Sequence, residues 1–268
     1  MSHPQAPRWK EWLSDPEPDA HLVQLYHDEE FFAEAVAHFA AEGLAKGEAV
    51  ILAATRPHRA LLSGRLVSLG LDPKRLAARG QLTLLDAEQT LPKFMVDGLP
   101  DPGVLKGMAR EAVAKARAGG GNPGVRWWGE MVNVLYLEGN LRGSIRLEEL
   151  FDELAREEAI SIFCSFQMDK FDPEIYEGAL QDVCRTHGHL IPTPDDARHR
   201  DCVDRAFSEV FGPLDIPSLD LLIGGSRWSS IEMPASQALL LWLRDAAPER
   251  LGRVLSRARA LDLAGMSG

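Results

Sequence analysis

The sequence has no glycine-rich phosphate loop where its first apparent strand hands over to a helix. At that junction it reads His27-Asp28-Glu29-Glu30. A triphosphate cradle needs glycines that let backbone N–H groups approach, with a Lys and a Ser or Thr for the charge and the Mg²⁺. Three acids stand there instead, which argues against ordinary nucleotide hydrolysis. Positive charge is also scarce: 29 Lys and Arg face 40 Asp and Glu, a net charge of −11. A chain of that sign does not grip nucleic acid or anionic lipid without a local basic patch, so neither is expected as a direct partner. Long apolar runs are missing, and Met1-Ser2-His3-Pro4 offers no apolar signal core, so the sequence predicts a cytoplasmic protein without membrane spans. Cysteine is sparse. Cys164, Cys184 and Cys202 are odd in number and contain no CxxC, the mark of buried thiols rather than disulfides.

What is present is a regular alternation of strand and helix signals. Residues 1–20 carry Pro4, Pro7, Pro16 and Pro18 and read as a tail or extended arm that Trp9 and Trp12 anchor. His21 to Tyr26 reads as a strand, and Asp28 as the cap of a helix whose stripe is Phe32, Val36, Phe39, Ala40 and Leu44. Ala49 to Ala54 is an unbroken apolar run, the pattern of a strand covered on both faces. A helix opened by Pro57, a short one opened by Asp72-Pro73 and a strand from Gln81 to Leu85 follow. A Pro/Gly-rich connection from Pro92 to Gly103 leads to a helix near Val104 to Ala118, a flexible turn at Gly119 to Gly124 and the strand Val125 to Trp128. After Gly129-Glu130-Met131 the reading is a loop, then a helix from Leu147 to Glu158 and a buried strand from Ala159 to Phe166. One helix from Asp172-Pro173 to His187-Gly188 and a short strand at Leu190-Ile191 close the core. Asp195 to Phe211 and Pro234 to Leu263 read as helical, separated by Gly212 to Gly225. The expected fold class is α/β, a mostly parallel sheet with helices on both faces and a helical C-terminal extension. The expected division is an arm over 1–20, a sheet domain over 20–193 and the extension over 194–268. There is no internal repeat.

From Phe31 to Leu85 the phrasing resembles the KaiC-like branch of RecA-fold ATPases, in Glu42-Gly43-Leu44-Ala45-Lys46-Gly47-Glu48, Leu69-Gly70-Leu71-Asp72 and Gly80-Gln81-Leu82-Thr83-Leu84-Leu85-Asp86. That resemblance implies a RecA-like scaffold whose phosphate loop would fall at His27 to Glu30, with an acidic element surviving at most near Glu130. A second resemblance covers residues 20 to 193 and lies in His21 to Glu30, Gly129-Glu130-Met131, Cys164 to Phe171 and Arg185-Thr186-His187. Here the chain is similar to the MEDS domain, named for methanogens, methylotrophs and the dichloromethane-responsive regulator. Gln167-Met168 depart from the Tyr-Asp type of pair at that place. The resemblance implies a non-catalytic sensor of a small organic effector that signals to a partner protein, a kinase or a transcription regulator. Neither module is read in the sequence itself.

In an open parallel sheet ligands bind beyond the carboxyl ends of the strands. The polar and aromatic residues placed there are His27, Asp28, Thr55, Arg56, Asp86, Trp128, Glu130, Gln167 and Asp169. His27-Asp28 reads either as a helix cap with an exposed imidazole or as a ligand contact. Glu130, on a central strand, needs a partner: a ligand, or an ion pair with Arg56 or Arg126. Trp127 and Trp128 point to opposite faces, and core packing serves both. His187, His189, His199 and Cys202 match no zinc spacing, and helix-end and surface positions account for all four, so no metal or other cofactor is expected. Cys164 sits in an apolar strand, where desolvation disfavours a thiolate nucleophile. No catalytic residue is assigned. Ala238 to Leu243 is too apolar for a solvated helix and must cover the core, a second copy in a homodimer or a partner. The alternative from another class is a divergent ATPase that holds phosphate on the helix N-terminus after Tyr26.

Overall fold

The computed structural model describes residues 8–119, 124–212 and 231–266, in two compact units divided between Gln167 and Met168. The expected turn at Gly119 to Gly124 and the Gly212 to Gly225 connection lie largely outside the described residues.

The first unit is built on parallel strands. β1 (His21–Tyr26) pairs with β7 (Ser161–Gln167), β7 with β6 (Val125–Gly129), β6 with β2 (Ala49–Ala54), and β2 with β3 (Leu82–Asp86). Every residue of β1, β2 and β6 is buried. Apolar runs in these strands follow from cover on both faces, because neither face meets water. The adjacent residues Trp127 and Trp128 mark the two layers. Trp127 packs on Phe151 of α8 (Leu141–Glu158), and Trp128 on Phe32 of α2 (Glu29–Ala45), with ring centroids 6.1 and 5.6 Å apart.

Asp28 caps α2 as its residue type predicts, accepting from the backbone N–H groups of Glu30 at 3.0 Å and Phe31 at 3.4 Å. α3 (Arg56–Ser68) and α4 (Pro73–Ala78) open on or beside prolines, and α6 (Pro102–Gly119) leads back toward β6. Two short elements, α5 (Ala87–Thr90) and the hairpin β4 (Met95–Val96) with β5 (Leu99–Pro100), occupy the connection that composition alone gave as irregular.

Local signals misled in three further places in the first unit. Residues expected as an extended arm contain α1 (Arg8–Ser14), because Trp9 and Leu13 share one face and bury there, Trp9 edge-on to Phe31 at 5.3 Å. The stretch after Glu130 is not a loop but α7 (Met131–Leu137), a helix with so few polar residues that it shows no amphipathic period. Asn140 then caps α8, which starts six residues before the expected stripe, and accepts from Gly143 N–H at 3.0 Å.

The second unit holds α9 (Pro173–Tyr176), α10 (Ala179–Thr186), β8 (His189–Ile191), α11 (Asp196–Phe211), α12 (Ala235–Ala246) and α13 (Pro248–Met266). The single helix expected from Asp172 to His187 is broken at Glu177-Gly178, where Tyr176 donates its hydroxyl to the Lys170 carbonyl at 2.9 Å. α12 buries Leu239, Leu240, Leu241 and Leu243 and packs with α11 and α13, so its apolar run is cover for this unit's own core. The protein is thus α/β, a parallel sheet with helices on both faces followed by C-terminal helices.

Candidate functional site

The carboxyl ends of the first unit's strands gather Tyr26 from β1, Thr55 and His58 after β2, Asp86 from β3, Glu130 after β6 and Gln167 from β7. Glu130 is the centre of this group. Only 2% of its surface is exposed, and its backbone N–H donates to the Ala53 carbonyl at 3.0 Å, prolonging the β6–β2 ladder by one residue. The side chain therefore has no route to bulk water and must be satisfied inside. Oε1 accepts the Thr55 backbone N–H, and Oε2 lies 2.5 Å from Nδ1 of His58. Neither Arg56, which is exposed, nor Arg126 is the partner; Arg126 pairs with Glu48 at the other end of the sheet. Burial works to lower the His58 pKa, but the bond to Glu130 and the charges of Glu130 and Glu29 outweigh it, so the imidazole is held above its ordinary value.

Aromatic side chains pack beside the pair. Phe32 stacks on Tyr26 at 4.5 Å and touches the His58 ring at 4.7 Å. Trp128 is fully buried on the same layer and donates its indole N–H to Ser165 Oγ at 3.0 Å. Asn133 of α7 links two strand ends, donating to the Tyr26 hydroxyl at 3.4 Å and accepting the Gln167 backbone N–H at 2.9 Å. Burial and the Glu130 and Glu29 charges push the Tyr26 phenol well above its ordinary pKa, so it stays protonated. Asp86 caps α5 through the Gln89 N–H at 3.0 Å and pairs with Arg59 at 2.5 Å.

The sequence-predicted residues therefore separate. Glu130 and Trp128 lie in the buried cluster, Asp86 beside Arg59 at its edge, and Gln167 reaches the cluster through its backbone, its side chain being exposed. His27 and Arg56 are exposed, and Asp28 spends its carboxylate on the helix cap. Asp169 belongs to the second unit, where it accepts the Phe171 N–H at 2.9 Å and pairs with Arg259. His58, Asn133 and Tyr26 were not singled out from the sequence. The signal for His58 was its place one turn into the helix after an apolar strand; Asn133 carried one too, as the lone amide in an apolar run.

Among the other residues weighed for metal, His187, His199 and Cys202 are buried rather than superficial. His199 Nδ1 meets Ser236 Oγ at 2.8 Å, and burial, helped by the Lys170 charge, lowers its pKa to about 3. Cys164, Cys184 and Cys202 are free and buried, and burial raises the Cys184 thiol to about 12. None of the three is a nucleophile poised for attack. Among the described residues no helix is long and apolar enough to cross a membrane.

These observations define a class: an α/β domain with a parallel sheet, a buried acid–imidazole pair at its carboxyl edge and no phosphate cradle at its first strand–helix junction. Residues 20–188 match the model of the MEDS family, the methanogen/methylotroph, DcmR sensory domain, and the chain belongs to that family. A sensory or regulatory role follows at that coarse level. No curated protein matches the chain.

Proposed function

We propose that this chain is a non-catalytic sensory domain that binds a small organic molecule at the carboxyl ends of its strands and reports the bound state to a partner protein, a kinase or a transcription regulator. The observation that carries the reading is the Glu130–His58 pair. A buried carboxylate whose second oxygen is held by one side chain from a neighbouring helix is a contact that a competing hydrogen-bond donor can replace. A ligand bearing a hydroxyl, amine or amide would take the place of His58 on Glu130, with the Tyr26–Phe32 aromatic pair beside it for its apolar part. Releasing His58 frees the first turn of α3, which supplies the conformational signal.

The scaffold is proposed to be of the RecA and KaiC type with its triphosphate site lost. Two N–H donors at the start of α2, those a phosphate would use, already donate to the Asp28 carboxylate. Glu29 and Glu30 add negative charge in the same turn. The test is thermal melting of the wild type, Glu130→Gln and His58→Ala against a panel of short-chain alcohols, amines and amides. A compound that raises the wild-type Tm and leaves Glu130→Gln unmoved supports the reading. A compound that stabilises all three proteins alike removes the proposed pocket.

A further inference from the structure

At the opposite end of the first unit's sheet, three side chains with metal-ligating atoms meet in the core. His21 opens β1, Cys164 lies in the middle of β7, and Glu148 projects from the second turn of α8; all three are buried. Their donor atoms lie within 4.8 Å of one another. His21 Nε2 stands 3.4 Å from Cys164 Sγ and 3.2 Å from Glu148 Oε2. Zinc bonds of about 2.0–2.3 Å in a tetrahedron place neighbouring N, O and S donors roughly 3.3–3.6 Å apart. The spacing around Nε2 is therefore close to that of a coordination polyhedron.

The second ring nitrogen of His21 supports the same arrangement. Nδ1 faces Asp152 Oδ1 at 3.9 Å, and Asp152 lies one turn beyond Glu148 on α8. A carboxylate behind the far nitrogen is how ligating imidazoles are oriented and made more basic. Asp152 is itself held by Arg156 at 2.6 Å. A carboxylate, an imidazole and a thiol gathered in an apolar core are costly to desolvate. A dication in their midst offsets that cost.

We propose that His21, Glu148 and Cys164 form a binding site for a divalent transition-metal cation of the zinc type. The mixed N, O and S donor set excludes Ca²⁺ and Mg²⁺, which take oxygen ligands, and suits a borderline-soft ion. Burial and the Glu148 charge keep the Cys164 thiol protonated; coordination forms the S–metal bond as the S–H bond breaks, and the proton passes to solvent. The site is separate from Glu130 and His58, so it stands or falls independently of the small-molecule reading.

The test uses the full chain purified without chelator. Metal analysis of the isolated protein, then titration of the metal-stripped protein with Co²⁺, reads both occupancy and thiolate coordination. The expected result is about one ion per chain and a thiolate-to-cobalt charge-transfer band that saturates at one equivalent and is displaced by Zn²⁺. Cys164→Ser removes the band, and Asp152→Asn keeps it while weakening affinity by about 10- to 100-fold. A wild type that isolates without metal and develops no band overturns the proposal, as does a band that persists in Cys164→Ser, since it then comes from Cys184 or Cys202. The wild-type measurements decide even if a variant fails to fold.

Discussion

Glu130 follows β6, with its backbone still in the ladder and its carboxylate 2% exposed, so every unit of its charge is answered by protein. The answer comes from one backbone N–H and one imidazole. Removing His58 would leave an ionised oxygen without that partner, a loss of about 2–3 kcal/mol by analogy with hydrogen bonds to charged groups. The pH dependence has a definite sign. The folded-state pKa of His58 is raised above its unfolded value, so its stabilising contribution is complete below the unfolded pKa and fades as pH rises through the folded one. In denaturant titrations the penalty of His58→Ala should accordingly be larger at about pH 6 than at about pH 9. Equal penalties at the two pH values would mean that folding leaves the His58 pKa at its unfolded value, so that its charge adds nothing to the pair. The Glu130 half of this contact was legible in the sequence, because a carboxylate after two tryptophans on a central strand demands a partner. The His58 half was not. It depends on how a crossover helix lands on the sheet, which local pattern does not encode.

At the scale of elements, Arg126 ties the N-terminal helix to the sheet. It is buried on β6, pairs with Glu48, and donates to the carbonyls of Leu13 at 2.8 Å, Ser14 at 3.0 Å and Phe39 at 3.2 Å. The first two carbonyls are the last residues of α1, so the guanidinium satisfies groups that a helix end leaves open and meets the negative end of its dipole. The side chain passes over Gly43 of α2 so closely that a Cβ there would lie 2.5 Å from Arg126 Cδ. Gly43→Ala would ordinarily favour a helix, yet here it must displace an arginine fixed by several bonds. The variant should lose about 1–3 kcal/mol by overpacking, read as a lower denaturation midpoint; a midpoint equal to or above wild type would show that Arg126 gives way freely. Gly43 could be read in sequence only as a glycine inside a helix, and Arg126 only as a charge on an apolar strand. Elements with a clear period or cap, such as α2 and β2, were readable to within a residue or two. α7 was not, since Asn133 is its one strongly polar side chain and no polar stripe marks its exposed side.

For the whole molecule, the decisive feature is what the strand–helix junction after β1 holds. A parallel sheet places its ligand crevice there, and in this chain the junction is filled by the protein's own carboxylate on the helix N–H groups, with two more acids beside it. The α/β class was evident from the alternation of elements, and the same acids are the sequence feature on which the proposal of a lost triphosphate site rests. The three-residue cluster under α8 was invisible, because His21, Glu148 and Cys164 are far apart in the chain and share no spacing motif. Membership of the MEDS family agrees with a sensory role and leaves the effector to be found. The account is tested most directly by calorimetric titration of the full chain with Mg²⁺-ATP. It predicts no saturable heat at millimolar nucleotide, the sheet serving as scaffold and the capped helix refusing phosphate. Stoichiometric, saturable binding would contradict it, and would place a working nucleotide site where Asp28 now closes the helix.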